Sequence, residues 1–547
     1  MGEIFKSHIP YDESKLPNCS IPDYLFKHLK QNLPYVAEKP WLLDACTGKK
    51  VLFGEVEERS RKVASALTRR GFAKGDVLYF VSYDIVDIGV LQLAVWLLGG
   101  ATRGSFQIED PEEFARQMQE VKCKFVAVDS HTVEAIKKAI NFAKIDCQII
   151  NVGDEDLEDI ISFSELARDD GAACPSDVKI DPDKDILLFC NTSGSTGVPK
   201  GVIHTHKNFV NLLAFFEGKL VESFEESTMV SVSNFLISTV MMMTTSFASG
   251  TTIYFISRYQ KEEFLGHLLK YKPMKLFLYP YIMSWLAKCD ELEKHDFSFL
   301  KRVYLGGSVV DPTTLELLEK KFPSACCNNS YGSTETLTLS ATVNSEKMKL
   351  PLYGTSPDGE RMVSSGVLIP FVEAKVTDLK NGELLGRNQV GRLWVRSKHM
   401  AKGYLRKDKE PDVSCFDEEG WYNTGDVVFF DALGQLFVRE RVSFTFKYYM
   451  HFVNPTEIEA VLQEHPAVEM ACVIGVPNNE TTNLAKGLVV LKEGKTATEE
   501  ELLTLVSSKM PFYKHLHGGL QFVDSFPENK TRKLDRLAIM KLYGAKL

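Results

Sequence analysis

The chain has 547 residues, 44% of them hydrophobic and 25% charged, with a formal net charge of −9. That length exceeds what one core supports and implies at least two domains. The acidic balance argues against nucleic acid or an anionic membrane as partner, because both need a basic surface.

At the N-terminus, Met1-Gly-Glu-Ile-Phe-Lys6 lacks the basic-then-apolar pattern of a secretory signal. Asn-x-Ser/Thr triplets such as Asn18-Cys-Ser20 are therefore expected to carry no glycan. Eleven cysteines form no C-x-x-C pair, and the doublet Cys326-Cys327 cannot build a metal cage alone. Free thiols in a reducing compartment follow.

The run Leu91–Ala101 reads as a core helix by its length. Beyond it, Lys124–Val128, Gln148–Val152, Ile186–Cys190, Lys275–Leu278 and Arg302–Leu305 read as buried strands. Helix-like stretches such as Pro111–Glu120, Thr132–Ala143 and Thr313–Lys321 alternate with them. This pattern predicts an α/β fold of layered sheets flanked by helices, with chemistry on loops beyond the strand ends. From Met229 to Ser257 there is no charged residue, a length that could cross a bilayer. Ser, Thr and Asn residues dilute it, however, and Gly250-Thr-Thr leads into Ile253–Ile256, so a buried helix followed by a short strand is expected. No transmembrane segment is predicted.

After about Arg441 the texture becomes compact α+β. A helix is expected over Pro455–Glu464, strands over Met470–Ile474 and Gly487–Leu491, and a second helix over Glu499–Lys509. The predicted domains are 1–439 and 440–547, a large N-terminal domain of layered α/β subdomains and a small, mobile α+β C-terminal domain.

The segment Asn191–Gly201 directly follows the Ile186–Cys190 run. Its eleven residues hold three glycines, four hydroxyl side chains and one lysine. A strand opening into such a loop offers backbone N–H groups, hydroxyl donors and a cation to a polyanion, and glycine lets the main chain come close. Pro199 and Lys200 stiffen and charge one end, which a flexible linker would not need. The loop is not the Gly-x4-Gly-Lys-Ser/Thr pattern of common NTPases, since counting on from Gly194 reaches Pro199; the G-x-G-x-x-G spacing is also missed.

The loop resembles the signature of the adenylate-forming superfamily, which contains acyl-CoA synthetases, coumarate ligases and beetle luciferases. Four further blocks continue the resemblance in order: Gly306-Gly307, Tyr331-Gly332-Ser-Thr334-Glu335-Thr336, Gly420-Trp-Tyr-Asn-Thr-Gly-Asp426 with Arg441 after it, and Pro527–Asp535. The resemblance implies that Thr192, Ser193, Gly194, Ser195, Thr196, Gly197 and Lys200 close over the β- and γ-phosphates of ATP. It puts Gly306 and Gly307 beside adenine and the acyl group, with Tyr331 and Gly332 also at the nucleotide. Thr334 would donate to the α-phosphate and Glu335 would hold Mg²⁺. Asp426 would accept the ribose hydroxyls, and Arg441 would contact ribose or phosphate. Lys533 would bridge the substrate carboxylate and the α-phosphate, with Lys530 as a nearby decoy.

The implied activity is ATP-dependent activation of a small-molecule carboxylic acid to an acyl-adenylate, then transfer to coenzyme A. A medium or long fatty acid or an arylalkyl acid is the expected substrate, Met241-Met-Met243 supplying an adaptable apolar wall. Two departures from the family pattern stand out. Ser233-Asn-Phe-Leu-Ile-Ser238 replaces the acyl-side run that usually carries a histidine, and Ser443 and Met450 stand where the family has a hinge lysine and a glycine of the thiol channel. They leave open a non-catalytic or adenylation-only relative; an oxygen-using luciferase is the other alternative, and the missing histidine counts against it. The ending Ala545-Lys546-Leu547 resembles a peroxisomal address; a cytoplasmic location is the alternative. Oligomeric state has no signature in the sequence.

Overall fold

The structure is a computed structural model. It describes residues 2–107, 109–153, 157, 160–192, 200–216, 223–231, 233–342, 350–406, 411–441, 444–448, 451–478, 480–529 and 533–544. Ser193, Gly194, Ser195, Thr196, Gly197, Ser443, Met450, Lys530 and the terminal Ala545-Lys546-Leu547 lie outside the described residues.

Three large sheets and one two-stranded sheet build the described N-terminal part. A seven-stranded sheet has Val77–Val81 at its middle and ends in an antiparallel hairpin, Ile186–Thr192 with Lys200–Thr205. A nine-stranded sheet runs parallel through Thr252–Phe255, Ser227–Val230, Lys275–Leu278, Arg302–Leu305 and Cys326–Ser333. An antiparallel five-stranded sheet contains Gly391–Ser397, Tyr422–Phe430 and Leu436–Arg441. One apolar core joins all three, with Phe80, Ile253 and Val395 among its members. A second core, around Leu276, Leu305 and Leu318, lies behind the nine-stranded sheet.

The alternation of apolar strands and amphipathic helices produced these layers. The helices Pro111–Val121, Val133–Ala143 and Pro312–Lys321 form at the predicted places. Pro111 and Pro312 occupy first helical positions, where a missing N–H costs nothing. The run Leu91–Ala101 needs correction: the helix is Ile85–Leu97, capped by Asp84, and Ala101 begins a strand. Nearly every residue of that helix is buried, so no polar face marked its start. The uncharged stretch from Met229 starts inside the strand Ser227–Val230, then forms the helix Ile237–Ser249 and the strand Thr252–Phe255. Among the described residues, no helix is long and apolar enough to cross a membrane.

Residues from Phe446 onward pack into cores of their own, one around Val453, Ile458 and Val489 and another around Cys472, Leu488 and Ile539. The strand Leu436–Arg441 belongs to the five-stranded sheet, so Glu440 and Arg441 are its last two residues and the sheet runs past position 439. The helices Pro455–Gln463 and Glu499–Lys509 and the long strands Val468–Asn478 and Thr482–Leu491 give the small domain its α+β form.

Candidate active site

The hairpin carries the first predicted group. Thr192 and Lys200 are its last antiparallel pair and form a fixed base. The base is braced by Arg103, fully buried, which donates to Asn191 Oδ1 at 2.9 Å and to the Gln117 carbonyl at 3.0 Å, and pairs with Glu120 at 2.9 Å. A buried cation without such partners would be costly. The Lys200 ammonium lies 5.0 Å from the centre of the Tyr404 ring.

A segment near residue 403 joins this hairpin to the next block. Leu405 N donates to the Gly201 carbonyl at 2.7 Å, and Ala401 N donates to the Glu335 carbonyl at 2.8 Å. The Tyr404 hydroxyl then donates to Glu335 Oε1 at 2.8 Å. His204 donates through Nε2 to the Thr334 carbonyl at 2.8 Å. Burial depresses its pKa to about 4, so the ring stays neutral at ordinary pH. Gly332 is required by close approach, because a Cβ there would stand 1.9 Å from the Leu337 carbonyl oxygen.

Asp426 lies on the strand Tyr422–Phe430, opposite Arg441 in the register. Arg441 Nε is 3.1 Å from its Oδ1, and the Tyr331 hydroxyl donates to its Oδ2 at 2.5 Å. Burial raises the Asp426 pKa, against the pull of Arg441. The same burial pushes the Tyr331 phenol well above its usual range, so it remains a donor.

Lys533 arrives from the small domain. Lys533 N donates to Asn529 Oδ1 at 3.0 Å and its carbonyl accepts from Asn529 N at 2.7 Å, which fixes the Lys533 backbone. The ammonium donates to the carbonyl of Gly307, whose φ of +86° suits glycine. Burial, and next Arg441, draw the Lys533 pKa down to about 8.

Lys200, Gly306, Tyr331, Glu335, Asp426 and Lys533 line one crevice of about 3200 Å³ between the two domains. Thr192, Gly307, Gly332, Thr334 and Arg441 border it as well. Of the predicted site residues, those from Ser193 to Gly197 lie outside the described set. Among the described residues no group of three or more His, Cys, Asp or Glu gathers to hold a metal ion. Glu335 alone could serve an ion held mainly by substrate phosphates. On the acyl side, where the expected histidine is missing, Phe235 is buried edge-on against Phe106 and the Ser238 and Tyr279 hydroxyls bond one another.

Sequence reasoning missed Arg103, Tyr279 and Tyr404. The Lys402-Gly403-Tyr404 run was the available signal for the last, with Gly403 at φ +131°; Arg103 sits in a short strand with no local cue.

An α/β chain with a small C-terminal lobe, and phosphate-suited donors facing one inter-domain crevice, defines a nucleotide-binding enzyme. The chain belongs to the AMP-binding enzyme family, whose pattern matches residues 34–405, and the AMP-binding enzyme C-terminal domain matches residues 457–533. It is 29% identical over 530 residues to 4-coumarate–CoA ligase 2 of Petroselinum crispum, covering 96% of this chain and 95% of the relative. It is 27% identical over 533 residues to 4-coumarate–CoA ligase-like 1 of Arabidopsis thaliana, covering 96% and 95%. The fold matches that of the anthranilate CoA ligase AuaEII in complex with anthranoyl-AMP, with a TM-score of 0.83, 20% identity, and coverage of 97% of this chain and 99% of that one.

Proposed function

We propose that this protein is an AMP-forming acid–CoA ligase. In the first step a carboxylate oxygen attacks the α-phosphorus of ATP, the α–β bridging bond breaks, and pyrophosphate leaves with the electron pair. In the second, the thiolate of coenzyme A attacks the acyl carbon and AMP departs. A free carboxylate is a poor electrophile, and the mixed anhydride solves this by offering AMP as leaving group.

Negative charge gathers on phosphoryl oxygens in the first transition state, so positioned cations and donors carry the catalysis and no protein nucleophile is needed. Lys200 and the loop after Thr192 would take the β- and γ-phosphates, Thr334 the α-phosphate, and Lys533 the junction of acid and α-phosphate. Asp426 and Arg441 would seat the ribose, with Tyr331 at the adenine. Glu335, fixed by Tyr404, would hold Mg²⁺, which supplies charge neutralisation at the phosphates. Met241 and Met242 both border the crevice and support an apolar acid, fatty or arylalkyl. The names of the coumarate ligase relatives favour thioester formation as the second half.

The observation that carries this reading is the convergence of Lys200, Glu335, Asp426 and Lys533 on one crevice. Acid-dependent exchange of labelled pyrophosphate into ATP tests the first step, and thioester formation on adding coenzyme A tests the second. Absence of exchange over a broad acid panel would sink it. Import into peroxisomes through Ala545-Lys546-Leu547 is a separate proposal, tested by relocation of a tagged chain after those three residues are deleted.

A further inference from the structure

The crevice continues past the nucleotide seat, between the helix Ile237–Ser249 and one face of the nine-stranded sheet. On the helix, Ser238, Met241, Met242 and Thr245 line it, at the i, i+3, i+4, i+7 spacing that puts residues on one face. On the sheet, the register sets Phe277 beside Tyr304 and Lys275 beside Thr228. The alternate residues Leu276 and Leu278 pack in the core behind the sheet. From the level of Gly306 and Tyr279 down to Lys275 is four strand positions, ~13 Å at about 3.3 Å per residue.

The far end of this passage is polar. Lys275 is bonded to Glu226, with side chains only 9% and 5% exposed. Thr228 and Tyr304 border the crevice with Lys275, and Arg302 hydrogen-bonds the Tyr304 hydroxyl within reach of the Glu226 charge. A tunnel made only for a hydrocarbon tail would end in leucine or phenylalanine. An alkyl terminus packed against this pair offers it no hydrogen bond, a poor neighbour for buried charge. A tail that ends in oxygen supplies one.

Resting on the acid-activation reading, we propose that the acid carries an oxygen function at the end remote from its activated carboxyl, recognised by Lys275 together with Thr228 and Tyr304. The fitting substrates are straight-chain acids of medium length with a terminal hydroxyl or a second carboxyl. Sites built to hydrogen-bond a substrate group discriminate far more strongly than apolar pockets do.

Pyrophosphate exchange over three series of straight-chain acids of matched lengths tests this: unsubstituted, ω-hydroxy and α,ω-dicarboxylic. At the best length an oxygenated acid should exceed its unsubstituted counterpart in kcat/KM by ~tenfold or more, and the two oxygenated series separate hydroxyl from carboxylate recognition. The double variant Lys275→Met/Glu226→Leu replaces the pair by apolar groups of similar volume and should invert the preference. Thr228→Val, which keeps the pair, should reduce it. The ratio between acids within one variant does not depend on how much of the protein is folded. A wild-type preference for unsubstituted acids, or a ratio that neither variant moves, overturns the proposal. Absence of exchange with every acid overturns the acid-activation reading itself.

Discussion

Lys533→Met is the most discriminating substitution, since it keeps the length and the apolar stem of the side chain and removes the charge. In the structure the ammonium sits against the Gly307 carbonyl, beside the glycine pair where acid and α-phosphate would meet. A preorganised charge facing a developing oxyanion is worth roughly 2.7–4 kcal/mol, or 10²–10³ in rate. Pyrophosphate exchange should fall by that factor, while the fold stays intact because the side chain crosses a crevice. The pH profile gives a second readout. Burial and Arg441 bring the Lys533 pKa to about 8, so the charged form is present below that value and is lost as pH rises through it. The kcat/KM for exchange, which reports the free enzyme, should therefore decline about tenfold per pH unit on the alkaline side. Lys533→Arg should abolish that limb, because a guanidinium stays protonated throughout. Equal losses for Lys533→Met and Lys530→Met, or an alkaline limb unchanged in Lys533→Arg, would refute the assignment.

Tyr404→Phe removes the donor that fixes Glu335. A hydrogen bond to a carboxylate is worth ~1.5–3 kcal/mol, so the Mg²⁺ concentration giving half-maximal exchange should rise about tenfold; an unchanged Mg²⁺ titration would count against Glu335 as the metal ligand. Arg439→Met attacks the contact between domains. Arg439 is bonded to Glu457 of the small domain and lies 2.9 Å from Asp358 and 3.3 Å from Glu360, with Lys514 also on Glu457. Glu457 is 2% exposed, and breaking a buried pair costs about 3–5 kcal/mol. That cost is felt only while the small domain sits in this pose, so exchange should fall well below the rate of thiol transfer from pre-formed adenylate; equal decreases in both assays would contradict it.

Local structure was legible where a pattern had a single solution. The strands Lys275–Leu278 and Arg302–Leu305 and the helix Glu499–Lys509 sit at their predicted positions, because a short apolar run or a capped amphipathic stretch needs no distant partner to be recognised. The blocks around Thr192, Tyr331, Asp426 and Lys533 could be marked from residue type and order, and the structure brings them to one crevice. What joins them could not be read. Tyr404 reaches Glu335 from 69 positions away, and Arg103 meets Asn191 across 88; such contacts exist only once the sheets have stacked. The hairpin after Thr192 escaped notice because Lys200 looks like the end of a loop, whereas its backbone begins a strand. In the small domain the strand Val468–Asn478 overruns its predicted end, since Gly475 and Pro477 suggest a break that pairing with Thr482–Leu491 overrides.

The last two residues of the strand Leu436–Arg441 answer to different neighbours. Arg441 faces Asp426, while Glu440 lies 3.5 Å from Arg536 of the C-terminal lobe. Successive side chains of a strand point to opposite sides, so one peptide unit joins the Asp426 pair to a contact with the C-terminal lobe. Were a nucleotide to seat at Asp426 as proposed, any displacement of Arg441 would act on the strand end that also meets the C-terminal lobe. Cargo and posture would then be one mechanical variable, carried by a single peptide unit.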